Sequence, residues 1–282
     1  MEDLLAEREF RFTTQDFERV RSMIHARAGI SLAPSKKTMV YSRLSRRLRE
    51  LGLRDFDAYL ALLKSDDSSE WTGFTNALTT NLTSFFREPY HFPILAEHLQ
   101  QCLQRRRQLK VWCAAASTGE EAYSIAMTAV EALGERPPVS ILASDIDTRV
   151  LATARSGIYP LASIEALTAE RRRRFLLRGK GAREGFARIR PDLAALVDFR
   201  QINLVDLSVR TDAPFDAIFC RNVLIYFDAP TKQRVFEFLR GQLHPDGLLF
   251  VGHSENFAAF RNGFRAEGKT VYRRVDSGVT PP

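Results

Sequence analysis

Residues 111–128 read VWCAAASTGEEAYSIAMT. An apolar, strand-like run ends in small residues, passes one glycine and two glutamates, and enters a helical pattern. Strand, tight turn and helix is how a nucleotide-type cofactor site begins. A phosphate cradle, however, calls for several glycines, a helix N-terminus free of acid and usually a lysine. This turn offers Gly119 alone and carries Glu120 and Glu121. Carboxylates stand where a phosphate would want amides and positive charge.

Outward from this turn, strand-like runs alternate with helical ones from about residue 108: LKVWCAA, a helix to Leu133, VSILASD, VDFRQINL, FDAIFCRN, a helix through TKQRVFEFLRGQL, GLLFVGH and TVYRRV. Such alternation predicts an α/β fold, a doubly wound and mostly parallel sheet with helices on both faces. The PDG at 245–247 reads as the turn that sets up the late strand. One interval is too long. About 50 residues separate Asp147 from Val197, where a crossover unit takes about 30. The excess holds a basic helix, TAERRRRFLLRG, and an alternating run, EGFARIRP. It reads as a small β-subdomain inserted in a crossover, about 155–191.

Residues 1–75 read as an all-helical domain. Thr13 or Thr14 can cap a helix through FERVRSMIHARAG, which Gly29 stops. A second helix runs through KKTMVYSRLSRRLRELG to Gly52, with an apolar stripe of Val40, Leu44, Leu48 and Leu51. A third follows in FDAYLALLKS, and DDSSE breaks the pattern. Residues 76–107 read as a linker and a segment that closes over the ligand, 108–276 as the catalytic domain, and 277–282 as a disordered tail.

The chain has 282 residues and a net charge of +7, so an acidic partner is expected: nucleic acid, an anionic membrane or an acidic protein face, among which the sign alone does not choose. No apolar run reaches transmembrane length, and MEDLLAEREFRF is too charged for a signal peptide. A cytoplasmic location without membrane insertion is expected. Cys102, Cys113 and Cys220 form no CxxC pair, which argues for a reducing compartment and against structural zinc.

Ligands of doubly wound sheets sit beyond the carboxyl ends of the strands. The acids and amides cluster there: Glu120 and Glu121 after the first strand, Asp145 at the end of the second, Asn203 and Leu204 after the third, Arg221 and Asn222 after the fourth. An acid at the end of the second strand is where a dinucleotide fold grips ribose hydroxyls. A ligand with ribose and adenine but no phosphate, carrying positive charge, suits this turn, and S-adenosylmethionine (SAM) is such a ligand. On pattern alone a generic α/β enzyme remains the alternative.

TTNLTSFFRE, AAASTGEEAYSIA, ASDID, FDAIFCRNVLIYF and LHPDGLLFVGHSENF together resemble CheR-type chemotaxis receptor methyltransferases, over nearly the whole chain. The resemblance implies a class I methyltransferase fold. It implies transfer of the SAM methyl group to glutamate side chains of membrane chemoreceptors, giving methyl esters and S-adenosylhomocysteine, with no metal. It also implies site residues. Asn81, Thr83 and Arg87 lie on the closing segment; Glu121, Asp145, Asn203, Leu204, Arg221 and Asn222 complete the cofactor pocket. Which of Glu120 and Glu121 meets the ligand stays open. Arg87 and Tyr226 are implied to position donor and acceptor.

A glutamate acceptor is ionised at neutral pH and needs no general base. Catalysis is then expected from positioning and from stripping water off the carboxylate. Cys113 and Cys220, which end core strands, are read as packing residues. His253 in GHSEN is read as a structural hydrogen-bonding residue near the crevice.

Residues 35–54, which contain the second helix, carry Lys36, Lys37, Arg43, Arg46, Arg47, Arg49 and Arg54 against Glu50. Arg43, Arg46 and Arg47 share a face. A solvated face is the plain reading; the resemblance favours docking of an acidic receptor helix. In the insert, an exposed sheet edge can accept an extended peptide as an added strand; the resemblance implies that a C-terminal receptor peptide tethers there, with Arg188 and Arg190 on one face. A merely solvated insert is the alternative. Two competing functions are a nucleic-acid methyltransferase, which the net charge permits, and a non-catalytic SAM- or receptor-binding adaptor. FCRNVLIYF lacks the proline-aromatic signature of amine methylation, and no nucleic-acid partner is expected.

Overall fold

The computed structural model describes residues 9–64, 68–255 and 263–275. Two compact units make up the chain: Met1–Thr80 with Tyr226–Asp228, and Asn81–Ile225 with Ala229–Pro282. The tail expected at 277–282 and part of the DDSSE break lie outside the described residues.

The first unit is helical. Helix α1 (Thr14–Ala28) starts in a capping box, where Thr13 and Asp16 each satisfy the other's backbone N–H. Gly29 ends it at φ 69°, a left-handed conformation that glycine adopts without a Cβ clash. Helix α2 (Lys37–Leu51) ends at Gly52 in the same way. Val40, Leu44 and Leu48 are fully buried, whereas Leu51, the last residue of the expected stripe, is exposed. Helix α3 (Phe56–Leu62) is capped by Asp55. Helix α4 (Glu70–Leu78) was not separated from the linker by the sequence pattern, and the boundary expected at residue 75 falls inside it. Its Trp71, Phe74, Ala77 and Leu78 are buried, so it belongs to this helical core. Residues 226–228 complete the unit: Ser31 N–H donates to the Tyr226 carbonyl at 2.7 Å, and His25 Nε2 lies 2.8 Å from Asp228 Oδ2.

The second unit is a layered α/β domain. After α5 (His91–Leu103) come β1 (Leu109–Cys113), α6 (Glu120–Leu133), β2 (Val139–Asp145) and α7 (Thr148–Ser156). The insert follows: β3 (Ile158–Pro160), α8 (Ala169–Phe175), β4 (Leu176–Arg178) and β5 (Phe186–Ile189). Then come α9 (Pro191–Ala194), β6 (Val197–Gln201), β7 (Phe215–Cys220), α10 (Ala229–Gln242), β8 (Leu243–Val251), β9 (Phe264–Gly268) and β10 (Val271–Arg274). The main sheet has seven strands in the order β6-β2-β1-β7-β8-β10-β9. Pairing is parallel from β6 to β8, and antiparallel from β8 through β10 to β9.

Val111, Trp112 and Cys113 of β1 are fully buried, as expected of a central parallel strand covered on both faces. Phe219 and Phe250 stack at 4.2 Å between ring centroids. The PDG expected as a turn lies within β8, where the register with β7 shifts between Phe215 and Ala217. The extra residues are taken up as a bulge, which re-aims a strand without ending it. Strand β9 escaped the sequence reading because only Phe264 of its five residues is buried, leaving no alternation. The insert is a three-stranded antiparallel sheet in the order β3-β5-β4.

Candidate functional site

The quoted turn folds as strand, loop and helix. Gly119, at φ 99°, is the N-cap of α6 and supplies no capping side chain. At the end of β2, the Asp145 carboxylate accepts Ser117 N–H through Oδ2 at 2.8 Å and Asp147 N–H through Oδ1 at 2.9 Å. Each oxygen keeps a lone pair for a further donor. Burial raises the Asp145 carboxyl above the ordinary range, while the backbone donors pull it back. A carboxylate pinned by two amides beside this turn fits a vicinal diol such as ribose.

The two adjacent glutamates diverge. Glu120 accepts the Thr118 hydroxyl at 2.6 Å. Glu121 turns inward, accepts Arg221 Nη1 at 2.8 Å and takes the Cys113 thiol at 3.3 Å. Burial raises both carboxyls, and for Glu121 the Arg221 charge opposes the rise. The Arg221 side chain is fully buried. Its Nη2 donates to the Arg87 carbonyl at 2.5 Å and lies 3.4 Å from Glu88 Oε2. Arg221 Nε is buried without a partner among the described residues.

The segment expected to close over the ligand is strapped down at several points. Asn81 Nδ2 donates to Asp147 at 2.9 Å, and the Asn81 carbonyl accepts Ser117 Oγ at 3.0 Å. Phe86 N–H donates to Ser124 Oγ at 2.9 Å. Arg87 Nη1 donates to the Leu82 carbonyl at 2.9 Å. Thr83 is half-buried. Asn203 folds the turn after β6, its Oδ1 accepting Val205 N–H at 3.3 Å, and Leu204 is buried behind it. Thus Asn81, Thr83, Arg87, Glu121, Asp145, Asn203, Leu204, Arg221 and Asn222 all belong to one unit, on the closing segment or at carboxyl ends of β1, β2, β6 and β7. Tyr226 belongs to the helical unit.

Sequence reasoning missed two residues here. Glu88 directs Oε1 to His253 Nδ1 at 3.0 Å and to Asn222 Nδ2 at 3.4 Å, and Oε2 accepts the Tyr90 hydroxyl at 3.1 Å. Burial would raise this carboxyl, but His253 and Arg221 outweigh it and hold it down at about 2. Glu255 accepts three backbone N–H groups, from Val223, Leu224 and Gly252, and so fixes the loop after β7. Backbone outliers mark the same place. Phe86, Glu88, Ser117 and Asn222 have φ between 48° and 57° without being glycine, a strain that persists where surroundings impose it and that gathers at functional sites.

Two of the three basic residues expected to dock a partner, Arg43 and Arg47, have internal duties. Arg47 pairs with Glu70 at 2.6 Å, and its side chain is 24% exposed. Arg43 donates to the Thr79 carbonyl at 2.6 Å, closing the carboxyl end of α4. Arg46, 77% exposed, points outward beside Glu50. The shared face inferred from spacing is therefore reduced to Arg46: the other two guanidiniums fold back onto α4. In the insert, β5 is the middle strand, so Arg188 lies on a strand paired on both sides. Arg190 falls beyond it as the N-cap residue of α9. The open edges belong to β3 and β4. Beside β4 lies a groove of about 470 Å³, floored by Leu161, Ile164, Leu176 and Ala187 and flanked by Arg172, Arg173 and Arg178.

Seven strands in this order, with the last inserted antiparallel and the acids at the carboxyl ends, define a class I methyltransferase fold. The chain belongs to the CheR methyltransferase family: residues 15–79 match its all-alpha domain, and residues 81–273 match its SAM binding domain. It is 53% identical to chemotaxis protein methyltransferase 2 of Pseudomonas aeruginosa, over 94% of each chain. It is 52% identical to the chemotaxis protein methyltransferase of Escherichia coli, over 91% of this chain and 89% of that one. A probable chemotaxis protein methyltransferase of Rhizobium etli is 36% identical, over 91% of this chain and 98% of that one. Among the described residues no helix is long and apolar enough to cross a membrane.

Proposed function

We propose that this protein methylates glutamate side chains of chemotaxis receptors, using SAM and forming glutamate methyl esters. The observation that carries the reading is the Asp145–Ser117–Asp147 arrangement beside a turn that holds two glutamates and no phosphate cradle, in a chain of this family. Bound SAM would supply a methyl group on a sulfonium that leaves as a neutral thioether. Asp145 would accept ribose hydroxyls. Arg221 Nε would serve an acceptor atom of the cofactor, and Glu121 would hold Arg221 in place for it. Asn203, Leu204 and Asn222 would complete the cofactor pocket, and Asn81, Thr83 and Arg87 would cover the ligand.

The acceptor carboxylate needs no proton removed at neutral pH. The protein's work is to align the reactants and exclude water, effects that contribute roughly 7–11 kcal/mol when alignment is complete. Arg87 and Tyr226 would orient donor and acceptor. A tight salt bridge to the nucleophile would damp it, so Arg87 serves to orient rather than to neutralise. Arg46 and the other exposed cations of α2 would meet an acidic receptor helix. A C-terminal receptor peptide would add to an open insert edge at β3 or β4, with side chains entering the groove beside β4 and Arg188 near its acidic group. Such a tether raises the local concentration of acceptor glutamates.

The test is incubation with labelled SAM and either receptor-bearing membranes or RNA, followed by alkali. A methyl ester releases volatile methanol. Label that stays in protein or in RNA after alkali rejects the reading.

A further inference from the structure

Tyr159 stands on β3 of the insert, yet its side chain serves the turn after β1. It is 2% exposed, and its hydroxyl donates to the Thr118 carbonyl at 2.7 Å. Thr118 lies between Ser117, whose N–H meets Asp145 Oδ2, and Gly119, the N-cap of α6. Both neighbours have left-handed backbones, at φ 48° and 99°. Gly119 leaves room for the hydroxyl: a Cβ there would stand 2.8 Å from it. The Tyr159 ring packs edge-on against Phe85, at 5.1 Å between centroids, and Phe85 lies on the segment expected to close over the ligand. One side chain from the insert therefore meets the cofactor turn and the closing segment alike.

We infer that Tyr159 is a positioning residue for SAM: its hydroxyl holds the Thr118 carbonyl and so keeps the Ser117 N–H directed at Asp145. This rests on the cofactor site proposed above. A left-handed serine is strained, and such a conformation persists only where its surroundings impose it. Three contacts impose it here. Ser117 Oγ donates to the Asn81 carbonyl at 3.0 Å, Gly119 N–H donates to the Ala116 carbonyl at 2.9 Å, and Tyr159 holds the carbonyl between them. The first two join the turn to itself and to the closing segment. The third anchors it to a strand of another sheet, where Tyr159 pairs with Ala187. Without that anchor the turn relaxes toward ordinary backbone angles, and the Ser117 amide drifts from the carboxylate that is to accept the ribose. The insert is then a support of the cofactor site as well as a place for a partner to dock.

The experiment uses the full chain, with calorimetry for SAM affinity, thermal unfolding for stability and alkali-labile receptor methylation for rate. Tyr159→Phe keeps the ring against Phe85 and removes only the hydroxyl. It should weaken SAM binding about 5-fold, the effect of one neutral hydrogen bond, while the rate at saturating SAM stays within about twofold. Tyr123 supplies the control. It is equally buried, and its hydroxyl donates at 2.8 Å to the Ala154 carbonyl of α7 instead of to the turn. Tyr123→Phe should lower the melting temperature to a similar degree and leave SAM affinity within about twofold. Wild-type SAM affinity in Tyr159→Phe overturns the positioning role and leaves the cofactor site standing. Equal losses of affinity in the two variants also overturn it, because the effect is then one of general stability. A wild-type chain that binds no SAM overturns the site and the role together.

Discussion

Glu121 and Arg221 stand 100 residues apart in the chain and 2.8 Å apart in the structure, as a buried ion pair where the loops after β1 and β7 meet. Neither side chain is more than 9% exposed. Burial is costly for each charge alone and is offset only by the other together with the surrounding hydrogen bonds.

Breaking this pair from one side should therefore be severe. Arg221→Met leaves Glu121 buried and unpaired, with an expected loss of about 3–5 kcal/mol. Adding Glu121→Leu to that variant should recover part of the loss. Thermal unfolding of the two single variants and the double variant closes the cycle; additive losses would mean that the two charges do not interact.

Asp145→Asn should weaken SAM binding by about 10-fold or more, the range for losing a hydrogen bond to a charged group. Asparagine has one side-chain oxygen, yet Ser117 and Asp147 both present N–H groups to this carboxylate. Part of the effect will therefore appear as a lower melting temperature. Calorimetry on the folded variant separates the two, and unchanged SAM affinity would remove Asp145 from the site.

Glu88 predicts an acid-side signature. Its folded value is lowered from 4.5 to about 2, so the folded state prefers the ionised form. The stabilisation is present above pH 4.5 and is lost as pH falls toward 2. Wild type should be more stable than Glu88→Gln near neutrality, and the difference should shrink across that interval. Melting temperatures of both proteins from pH 7 to 2 measure it, and a constant difference would be the contrary result.

Arg46 and Arg47 should separate docking from folding. Arg46→Glu alters an exposed residue and should reduce receptor methylation at low salt, with little change in melting temperature. Surface charges are screened beyond about 8 Å at physiological ionic strength, so the defect should fade as salt rises. Arg47→Ala should instead destabilise the helical unit, because it leaves Glu70 unpaired; that side chain is 10% exposed. Equal loss of methylation from both variants with no change in stability would contradict this division.

All three cysteines, Cys102, Cys113 and Cys220, are buried. Burial also pushes each thiol above its ordinary range, most strongly for Cys113 and Cys220. The native protein should therefore resist a thiol reagent at neutral pH that labels all three after denaturation. Rapid native labelling would show that these strands open readily.

What the sequence by itself determined was local. Gly29 and Gly52 end helices because they can take left-handed φ, and the Thr13–Asp16 box lies within one turn. The strands alternate with helices at a period any window can detect, and Asp145 falls at a strand end that such a window locates. The tertiary structure alone decided which of two adjacent glutamates faces Arg221 and which helix Arg43 and Arg47 serve. It also showed that β5 is a middle strand and joined Glu88 to His253. Strand β9 and the bulge in β8 were illegible for the same reason: their pairing partners, not their own residue patterns, hold them in the sheet. Periodicity records which face of an element is apolar. It does not record which distant polar group meets a charge, because that depends on where two separate strand ends arrive, and a buried charge is stable only beside the partner that arrives there.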